Sequence, residues 1–374
     1  MNGFRFLFSV IAIAVVLCGE CLAVDFTSSD PMTNQKELFG ISDLEQYLPE
    51  EARQVWGDFT VEQSIHQGNR LDQLREFFSQ NLGELLRAAL QNVLMMIIIC
   101  LLIACGQTFL SRSPHKTAFE ITGALAISML GAVQVNACVP EGIRIAEALS
   151  AFSTQVLPVL SAAATASGAI TSAGAKYVIA ATALSLFGAG AETVLLPALY
   201  LFAAASITGC VLQNELLMTL AGLMKRVLRL LLIATAALFT AYLGLTGILN
   251  GAADAAAAKA AKAAISTALP VVGGIMADAA DTLTSGAALL CSGVGIFGVL
   301  CTAAICLLPY ASFALHYLLY QAAAELCTSF SAPRINSLLR CFSDLYGMLL
   351  GILGTLSFII FASIVSIMRA AGKG

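Results

Sequence analysis

Apolar runs separated by short polar stretches fill the chain from residue 88 onward. The first run covers residues 88–110 and contains VLMMIIICLLIAC. An α-helix needs about 20 mostly apolar residues to cross the hydrocarbon of a bilayer. The pattern therefore predicts an all-α, polytopic integral membrane protein, with a transmembrane domain of about eight to ten spans over residues 88–374. Further spans are predicted at 118–139, 150–171, 176–190, 193–212, 230–250, 265–285, 286–305, 307–327 and 346–368.

Positive charges orient these spans in the membrane. Arg112 and Lys116 follow the first span, and the positive-inside rule places the connection that carries them in the cytoplasm. Lys225, Arg226 and Arg229 likewise predict a positive cytoplasmic loop before a long apolar run. With the first connection inside, the chain that precedes the first span lies on the exported side.

The first 87 residues have a different pattern. Residues 1–23, MNGFRFLFSVIAIAVVLCGECLA, combine one early arginine, a short apolar core and small residues at the end. This arrangement predicts a cleaved signal peptide, with an uncleaved anchor as the alternative. Residues 24–87 are polar and predict a small helical exported segment, in which Ser42 and Glu45 form a capping box. A second helical stretch at 60–87 has an apolar stripe of Leu71, Leu74, Phe78, Leu82 and Leu85.

Composition indicates that lipid covers much of the chain. The sequence is 59% hydrophobic and 11% charged, with a mean hydropathy of +0.86, whereas soluble domains are about 25% charged. The net charge of -4 and the lack of a basic run argue against nucleic acid as a partner. Apart from Cys18 and Cys21 in the leader, the sequence has no Cys-x-x-Cys spacing, and it has no glycine-rich phosphate loop. It therefore predicts neither a metal nor a cofactor. Most of the 11 cysteines lie in apolar runs and are interpreted as packed thiols.

Two carboxylates interrupt the apolar part of the chain, within LPVVGGIMADAADT at residues 269–282. Asp278 and Asp281 are three residues apart and would share one face of a helix. A charge at membrane depth costs about 2.5–3.5 kcal/mol on insertion scales and is usually functional. The favoured interpretation is a helix that begins near Ala277 at the interface, where both carboxylates meet water; cation binding or a proton relay at membrane depth is the alternative. The candidate functional motif consists of Pro270, Gly273, Gly274, Asp278, Asp281 and Thr282.

The stretch before this motif, GAADAAAAKAAKAAISTA at residues 251–268, is alanine-rich and predicts a strong helix. Lys259 and Lys262 share one of its faces, which favours a helix that lies on the membrane surface. If residues 265–285 are interfacial or re-entrant, nine spans remain and the C-terminus lies inside. If they cross the bilayer, there are ten spans, and the charges leave both arrangements open.

Two short motifs recur with the same offset. LPV and LLP each occur twice, and the copies of both are offset by 112 residues. An internal repeat of residues 150–250 and 262–368 would explain this, and repeats in transporter-like folds point to the functional centre. Chance recurrence in a biased composition is the alternative. The candidate repeat motif consists of Pro158, Pro197 and Pro309.

Three stretches, together with the signal peptide and the exported segment, resemble the stage III sporulation protein AE family of endospore-forming bacteria. They are LPVVGGIMADAADT at 269–282, LPVLSAAATASGAITSA at 157–173 and the basic group at 225–229. The resemblance covers essentially the whole chain, and the alanine-rich 251–268 departs from the family pattern.

This resemblance implies a multi-pass component of the mother-cell membrane that surrounds the forespore. The implied partners are the other stage III sporulation membrane proteins, AA to AH, and the forespore protein Q of stage II. With them, the resemblance implies a channel or secretion-like complex between mother cell and forespore that endospore development needs. A secondary transporter or permease subunit for a small solute or ion is the alternative function, which the repeat and the two aspartates would favour.

An intramembrane enzyme is the weakest hypothesis. His316 lies in a span, next to Tyr317, with no catalytic partner at a readable spacing. The sequence therefore predicts a protein that is not an enzyme and has no catalytic residues.

Overall fold

All regular elements of the described chain are helices, as the sequence predicts. The computed structural model describes residues 49–57, 60–61, 70–109, 116–268, 273–328 and 333–371. A π-helical turn at Ala191–Leu195 joins two of the helices into one rod. The helices are α1 (Glu50–Trp56), α2 (Arg70–Phe109), α3 (Lys116–Ala166), α4 (Ile170–Gly190), α5 (Leu196–Leu212), α6 (Glu215–Ala268), α7 (Gly273–Thr328) and α8 (Pro333–Ala371).

Six helical segments of the described chain are long and apolar enough to cross a bilayer, which confirms a polytopic membrane protein. Predicted spans merge in pairs, because interior prolines do not end α3 or α7. The span predicted at 118–139 and most of that at 150–171 belong to α3, and those at 286–305 and 307–327 belong to α7. Packed neighbouring helices and local adjustments can satisfy the backbone groups that such a proline frees. The number of bilayer crossings stays a prediction. The segments are Asp72–Gly106, Ala118–Ala166, Ile170–Leu212, Glu215–Leu245, Thr284–Thr328 and Pro333–Ala371.

The core of the bundle is α8. Its side chains from Ile335 to Ile367 are buried on almost every side, as expected of a helix that is apolar all round. The helices α3, α4, α5, α6 and α7 all pack on it, while α2 packs outside them on α3 and α7. The short α1 contacts α2 and α7.

Glycines let the backbones of these helices approach closely. A Cβ atom on Gly131 of α3 would lie 1.8 Å from Cζ of Phe342 in α8, and one on Gly142 would lie 3.0 Å from Leu349. On the other side of α8, a Cβ on Gly351 would lie 3.0 Å from Leu232 of α6. Small residues at helix contacts are typical of membrane bundles, where van der Waals packing replaces the hydrophobic effect.

The same contacts show that α3 and α6 run in the direction of α8 and lie on opposite sides of it. Residue numbers rise together along α3 and α8, and also along α6 and α8. Both α4 and α5 contact α3 and α6, and so separate them on one flank of α8. On the other flank α7 contacts both.

Two tight turns reverse the chain at the ends of the bundle. Gly168, with φ +100°, connects α3 to α4, a conformation that glycine adopts without steric cost. Gln213 connects α5 to α6 in the left-handed region with φ 53°. The Asn214 side chain then accepts hydrogen bonds from the backbone N–H groups of Leu216 and Leu217, at 3.0 and 3.4 Å, and so caps the start of α6.

The structure changes the interpretation of the N-terminal part. From Arg70 onward, the predicted helix at 60–87 and the first span form one rod, because α2 runs without a break from Arg70 to Phe109. Leu74, a member of the predicted stripe, packs partly against the core, while Leu82 is exposed. Residues 1–23 and the capping box at Ser42 lie outside the described residues.

The alanine-rich stretch at 251–268 continues α6 without a break. Its predicted helical conformation is therefore confirmed. Its location on the membrane surface stays a prediction.

Candidate functional site

A histidine in α7 is the centre of a polar cluster inside the bundle. His316 is buried, with Nδ1 2.8 Å from the carbonyl oxygen of Ser312. Because a carbonyl can only accept, Nδ1 carries the proton and donates. This leaves Nε2 as an acceptor for the side-chain amide of Asn92 in α2, at 3.4 Å. The two bonds are those of a neutral imidazole.

Aromatic rings extend this cluster to α8 and α3. The His316 ring stacks on Tyr346 with 4.8 Å between centroids, and Tyr320 stacks on the same tyrosine at 5.7 Å. The Tyr346 hydroxyl donates to Oε1 of Gln134, at 3.3 Å. The Tyr320 hydroxyl is buried and has no hydrogen-bond partner among the described residues. We call Asn92, Gln134, His316, Tyr320 and Tyr346 the polar layer.

An ion pair lies next to the polar layer. Lys225 of α6 contacts Asp344 of α8, and both side chains are about two-thirds buried. Asp344 precedes Tyr346 by two residues, which is about 3 Å along the helix axis. The polar layer and the ion pair together connect α2, α3, α6, α7 and α8 at one level of the bundle.

A second buried cation lies near the other end of α8. Lys176 of α4 is 6% exposed, and its Nζ donates to the carbonyl oxygen of Ser366 at 2.6 Å. The carbonyls of the last turns of a helix carry partial negative charge. The position is therefore favourable for a buried lysine.

A salt-bridge cluster joins α1 to α3. The Arg144 guanidinium donates to Glu141 on its own helix at 2.8 Å and to Glu51 of α1 at 3.1 Å. Ala52, next to Glu51, is fully buried. The cluster holds the start of the described chain against the bundle.

These groups can bind, orient and link helices. The described residues contain no group of three or more His, Cys, Asp or Glu side chains that could hold a metal ion. A polar network between helices in lipid contributes about 0.6–2 kcal/mol per hydrogen bond. It favours one packing arrangement of the bundle.

Sequence comparison identifies the family of this bundle. A family model described as stage III sporulation protein AE matches residues 53–372. The chain belongs to the stage III sporulation protein AE family. A similar protein is the stage III sporulation protein AE of Bacillus subtilis (strain 168), 24% identical over 258 residues. The match covers 67% of this chain and 64% of that relative, slightly less than two thirds of its length. No solved structure matches the chain.

The family match confirms the predicted resemblance and makes this a sporulation membrane protein. The matched range includes the polar layer, the ion pair and the salt-bridge cluster joined to α3, apart from Glu51, which precedes it. It also includes all candidate residues that the sequence singles out.

The motif at 269–282 falls at the beginning of α7. Gly273 and Gly274 are its first residues, so the helix starts one turn before Ala277. Asp278, Asp281 and Thr282 follow within the first three turns, on one face by their spacing. Pro270 and the surroundings of the aspartate side chains lie outside the described residues. Whether the two carboxylates meet water or membrane depth stays a prediction.

The three repeat prolines have different surroundings in this family member. Pro158 lies inside α3 with its side chain exposed, and Pro309 lies inside α7. Pro197 is the second residue of α5, directly after the π-helical turn. A π-helical turn can accommodate a proline that lacks its backbone donor. Pro158 and Pro309 therefore both lie within long helices. The internal repeat stays a prediction.

The predicted positive loop is wrong in one respect, because its residues lie inside a helix. Lys225, Arg226 and Arg229 belong to α6, whose first residue is Glu215. The connection between spans comes earlier, at the Gln213 turn. The apolar period continues through the charges, and α6 buries one face from Ala221 to Leu243. Lys225 contacts Asp344, whereas Arg226 and Arg229 are exposed.

Sequence reasoning missed Asp344 and Lys176. Each is detectable as an isolated charge in an apolar stretch. Lys176 is the only Asp, Glu, Lys or Arg between Glu147 and Glu192, and no other such residue lies between Asp344 and Arg369. Their partners come from distant parts of the chain and have no signature in the sequence.

Proposed function

We propose that this protein is a non-enzymatic component of the stage III sporulation apparatus, in the mother-cell membrane around the forespore. The observation that carries this proposal is the family match over residues 53–372, which covers nearly the whole helical bundle. The proposed partners are the other stage III membrane proteins, AA to AH, and the forespore protein Q of stage II. Together they would form a channel or secretion-like complex.

The character of the surface supports a role within the membrane. Large apolar side chains are exposed on α2, α3 and α6, among them Leu94, Met129 and Leu238. Exposed apolar surface on this scale would be unstable in water and requires lipid or protein against it.

The N-terminal segment is proposed to face the space between the two membranes. The start of α2 carries charged side chains, such as Asp72 and Arg75, on its exposed surface, and the cluster around Arg144 holds α1 nearby. Residues 24–87 would then be the part of the chain that partners reach without crossing lipid.

Deletion in the native spore-forming host tests the proposed role. We expect the count of heat-resistant spores to fall by several orders of magnitude, and a tagged copy to co-purify with other stage III proteins from sporulating cells. A normal spore count, or recovery without any stage III partner, would contradict the proposal.

Labelling tests the exported face. In vegetative cells that express the Gln73→Cys variant, a membrane-impermeant maleimide should react without permeabilisation, because this side chain is exposed on α2. Labelling only after permeabilisation would reverse the proposed orientation. The matched background is Cys105→Ser, which removes the one described cysteine that is exposed.

Transport of a small solute or ion is the competing function, for which the Lys225–Asp344 pair and the carboxylates Asp278 and Asp281 provide charged groups in the bundle or beside it. The Asp278→Asn and Asp281→Asn variants, single and combined, separate the two functions. Under the proposed function the unmutated protein shows no flux in reconstituted vesicles. Flux that is lost in the variants while complex assembly persists would establish transport instead.

A further inference from the structure

The outward face of α6 carries a regular apolar row. Leu216, Leu220, Leu223, Val227 and Leu230 follow one another at alternating steps of four and three residues, and each is between 48% and 80% exposed. This 3.5-residue period is typical of a helix packed against another helix. We call these five residues the α6 row.

The α6 row is separate from the contact that α6 makes with its own bundle. Ala221, Leu228 and Leu232 point inward and are buried, and Lys225 lies on the same side, where it contacts Asp344. One face of α6 is therefore packed against α8 and its neighbours. The opposite face has the same kind of period and no described partner helix.

Two arginines make lipid an unsuitable cover for this face. Arg226 and Arg229 are exposed beside the α6 row, inside the apolar stretch Glu215–Leu245. A charged side chain that faces lipid within a membrane span is energetically costly. A protein surface with an apolar row and a carboxylate at the matching height would avoid that cost.

The outward face of α3 is such a surface. Ile121, Leu125, Met129 and Val133 form a row that is between 36% and 77% exposed. Glu141 follows about two turns later and keeps 42% of its side chain exposed while it bonds to Arg144. With Glu51 also bound to that arginine, the cluster holds two carboxylates for one guanidinium and is net negative. We call the four apolar residues the α3 row.

The heights of the two faces agree when both are measured on α8. Lys225 contacts Asp344, and Leu232 contacts Gly351, so Arg229 lies beside residue 348. On the opposite side, Gly142 contacts Leu349, so Glu141 also lies beside residue 348.

The apolar rows agree in height as well. Leu223 precedes Lys225 by two residues and so lies beside Phe342. Gly131 contacts that same phenylalanine, and Val133 follows Gly131 by two residues on α3. Val133 precedes Glu141 by about 12 Å of helix, and Leu223 precedes Arg229 by about 9 Å, so one alignment places both pairs at similar heights.

We propose that a second copy of this chain docks its α3 row on the α6 row, with Glu141 of that copy facing Arg226 and Arg229. The two faces lie on opposite sides of α8 and their helices run in the same direction, so a copy shifted sideways in the membrane keeps the apolar rows and the charges at matching heights. The contact joins two different surfaces, and each copy keeps one of them free. Repetition produces a closed ring or an open row of copies.

This contact rests on the surfaces of the chain alone and not on its role in sporulation. Cross-linking of full-length protein in native membranes tests it, in a Cys105→Ser background. Cells that express Leu223→Cys and Val133→Cys on separate copies should give a disulfide-linked dimer after mild oxidation. The two single variants alone should each give less than a tenth of that yield.

Cross-linking of Leu223→Cys alone at an equal yield would show that two α6 rows face each other and would overturn the proposal. No cross-link from the mixed copies, with both cysteines labelled by a lipid-soluble maleimide, would show that lipid covers both faces and would also overturn it. The background variant without added cysteines controls for the remaining thiols.

A charge exchange tests the polar part of the contact. Arg226→Glu combined with Arg229→Glu should lower the mixed cross-link at least tenfold. Adding Glu141→Lys to the copy that carries Val133→Cys should restore most of it. Arg75→Glu, a charge reversal on the exposed surface of α2, is the matched control and should leave the yield unchanged. A loss that Glu141→Lys does not restore would contradict the proposed pairing.

Discussion

At the scale of single residues, the Lys225–Asp344 pair is the charge contact closest to the polar layer. Both side chains are about two-thirds buried, so each charge has lost part of its hydration. Removal of one partner leaves the other charge partly buried and uncompensated, whereas removal of both replaces the pair with apolar packing. The effects of the two substitutions should therefore not add.

Lys225→Met and Asp344→Leu, taken singly, should each lower the free energy of unfolding by about 1–3 kcal/mol. The double variant should be more stable than the sum of the singles predicts, by about 1 kcal/mol. Unfolding in mixed detergent micelles measures the cycle. Arg340→Gln, at an exposed pair with Glu325, is the control and should change stability by less than about 1 kcal/mol. Strict additivity of the two singles would show that the charges do not interact.

At the scale of helices, some glycines lie where a neighbouring side chain leaves no room for a Cβ atom, and others lie where a Cβ atom would fit. A Cβ on Gly131 would collide with the buried ring of Phe342, whereas nothing lies within 4 Å of one on Gly174 in α4. Glycine inside a helix is less stable than alanine by about 0.5–1 kcal/mol. The same substitution should therefore have opposite signs at the two positions.

Gly131→Ala should lower the free energy of unfolding by about 1–3 kcal/mol, since the Phe342 ring must move. Gly174→Ala should raise it by about 0.5–1 kcal/mol. Thermal unfolding of both variants in the same detergent decides the matter. A stabilising effect of Gly131→Ala would mean that α3 and α8 are further apart than the structure has them.

The attachment of α1 to α3 depends on an exposed cluster and should be local in its effect. Arg144→Ala removes the bonds to Glu51 and Glu141, and exposed ion pairs contribute at most about 1 kcal/mol. Amide hydrogen exchange in Glu50–Trp56 should become about fivefold faster, and exchange in α3 should stay the same. An equal acceleration in both helices would show that the cluster contributes to the global stability of the bundle.

The sequence predicts helices well and their connections less well, for a physical reason. The helices around Ile98 and Leu353 can be predicted from their apolar runs, because lipid-facing and buried positions both favour apolar residues. A proline inside a helix removes a backbone hydrogen bond, yet α3 continues past Pro158 and α7 continues past Pro309. These two helices pack on each other and on α8. The Lys225–Asp344 contact is not predictable from local pattern, because its partners meet only once α6 and α8 are packed.

At the scale of the whole molecule, the helices are longer than a bilayer is thick. The segment Ala118–Ala166 has 49 residues, about 74 Å at 1.5 Å per residue, whereas the hydrocarbon core is about 30 Å thick. The outward side chains of α3 also change along its length, from Leu125 and Met129 to Thr154 and Gln155. Part of the bundle must therefore lie outside the hydrocarbon.

Leu125→Cys and Gln155→Cys, in the Cys105→Ser background, locate that part. The two positions are about 45 Å apart along α3, which exceeds the thickness of the hydrocarbon core. At most one of them can lie inside it. We expect a water-soluble maleimide to label Gln155→Cys in permeabilised membranes and to leave Leu125→Cys unlabelled. Labelling of Leu125→Cys with protection of Gln155→Cys would move the membrane to the other half of the bundle.

The central position of α8 has a consequence for the order of assembly. In the chain, α8 follows every helix that surrounds it in the bundle. During synthesis α3 to α7 are therefore made before the helix that fills the space between them. When α8 is made, it can insert directly between these helices and need not first be surrounded by lipid. Truncation before Pro333 would leave the earlier helices without the surface they share, so premature stops late in the chain should be as harmful as early ones.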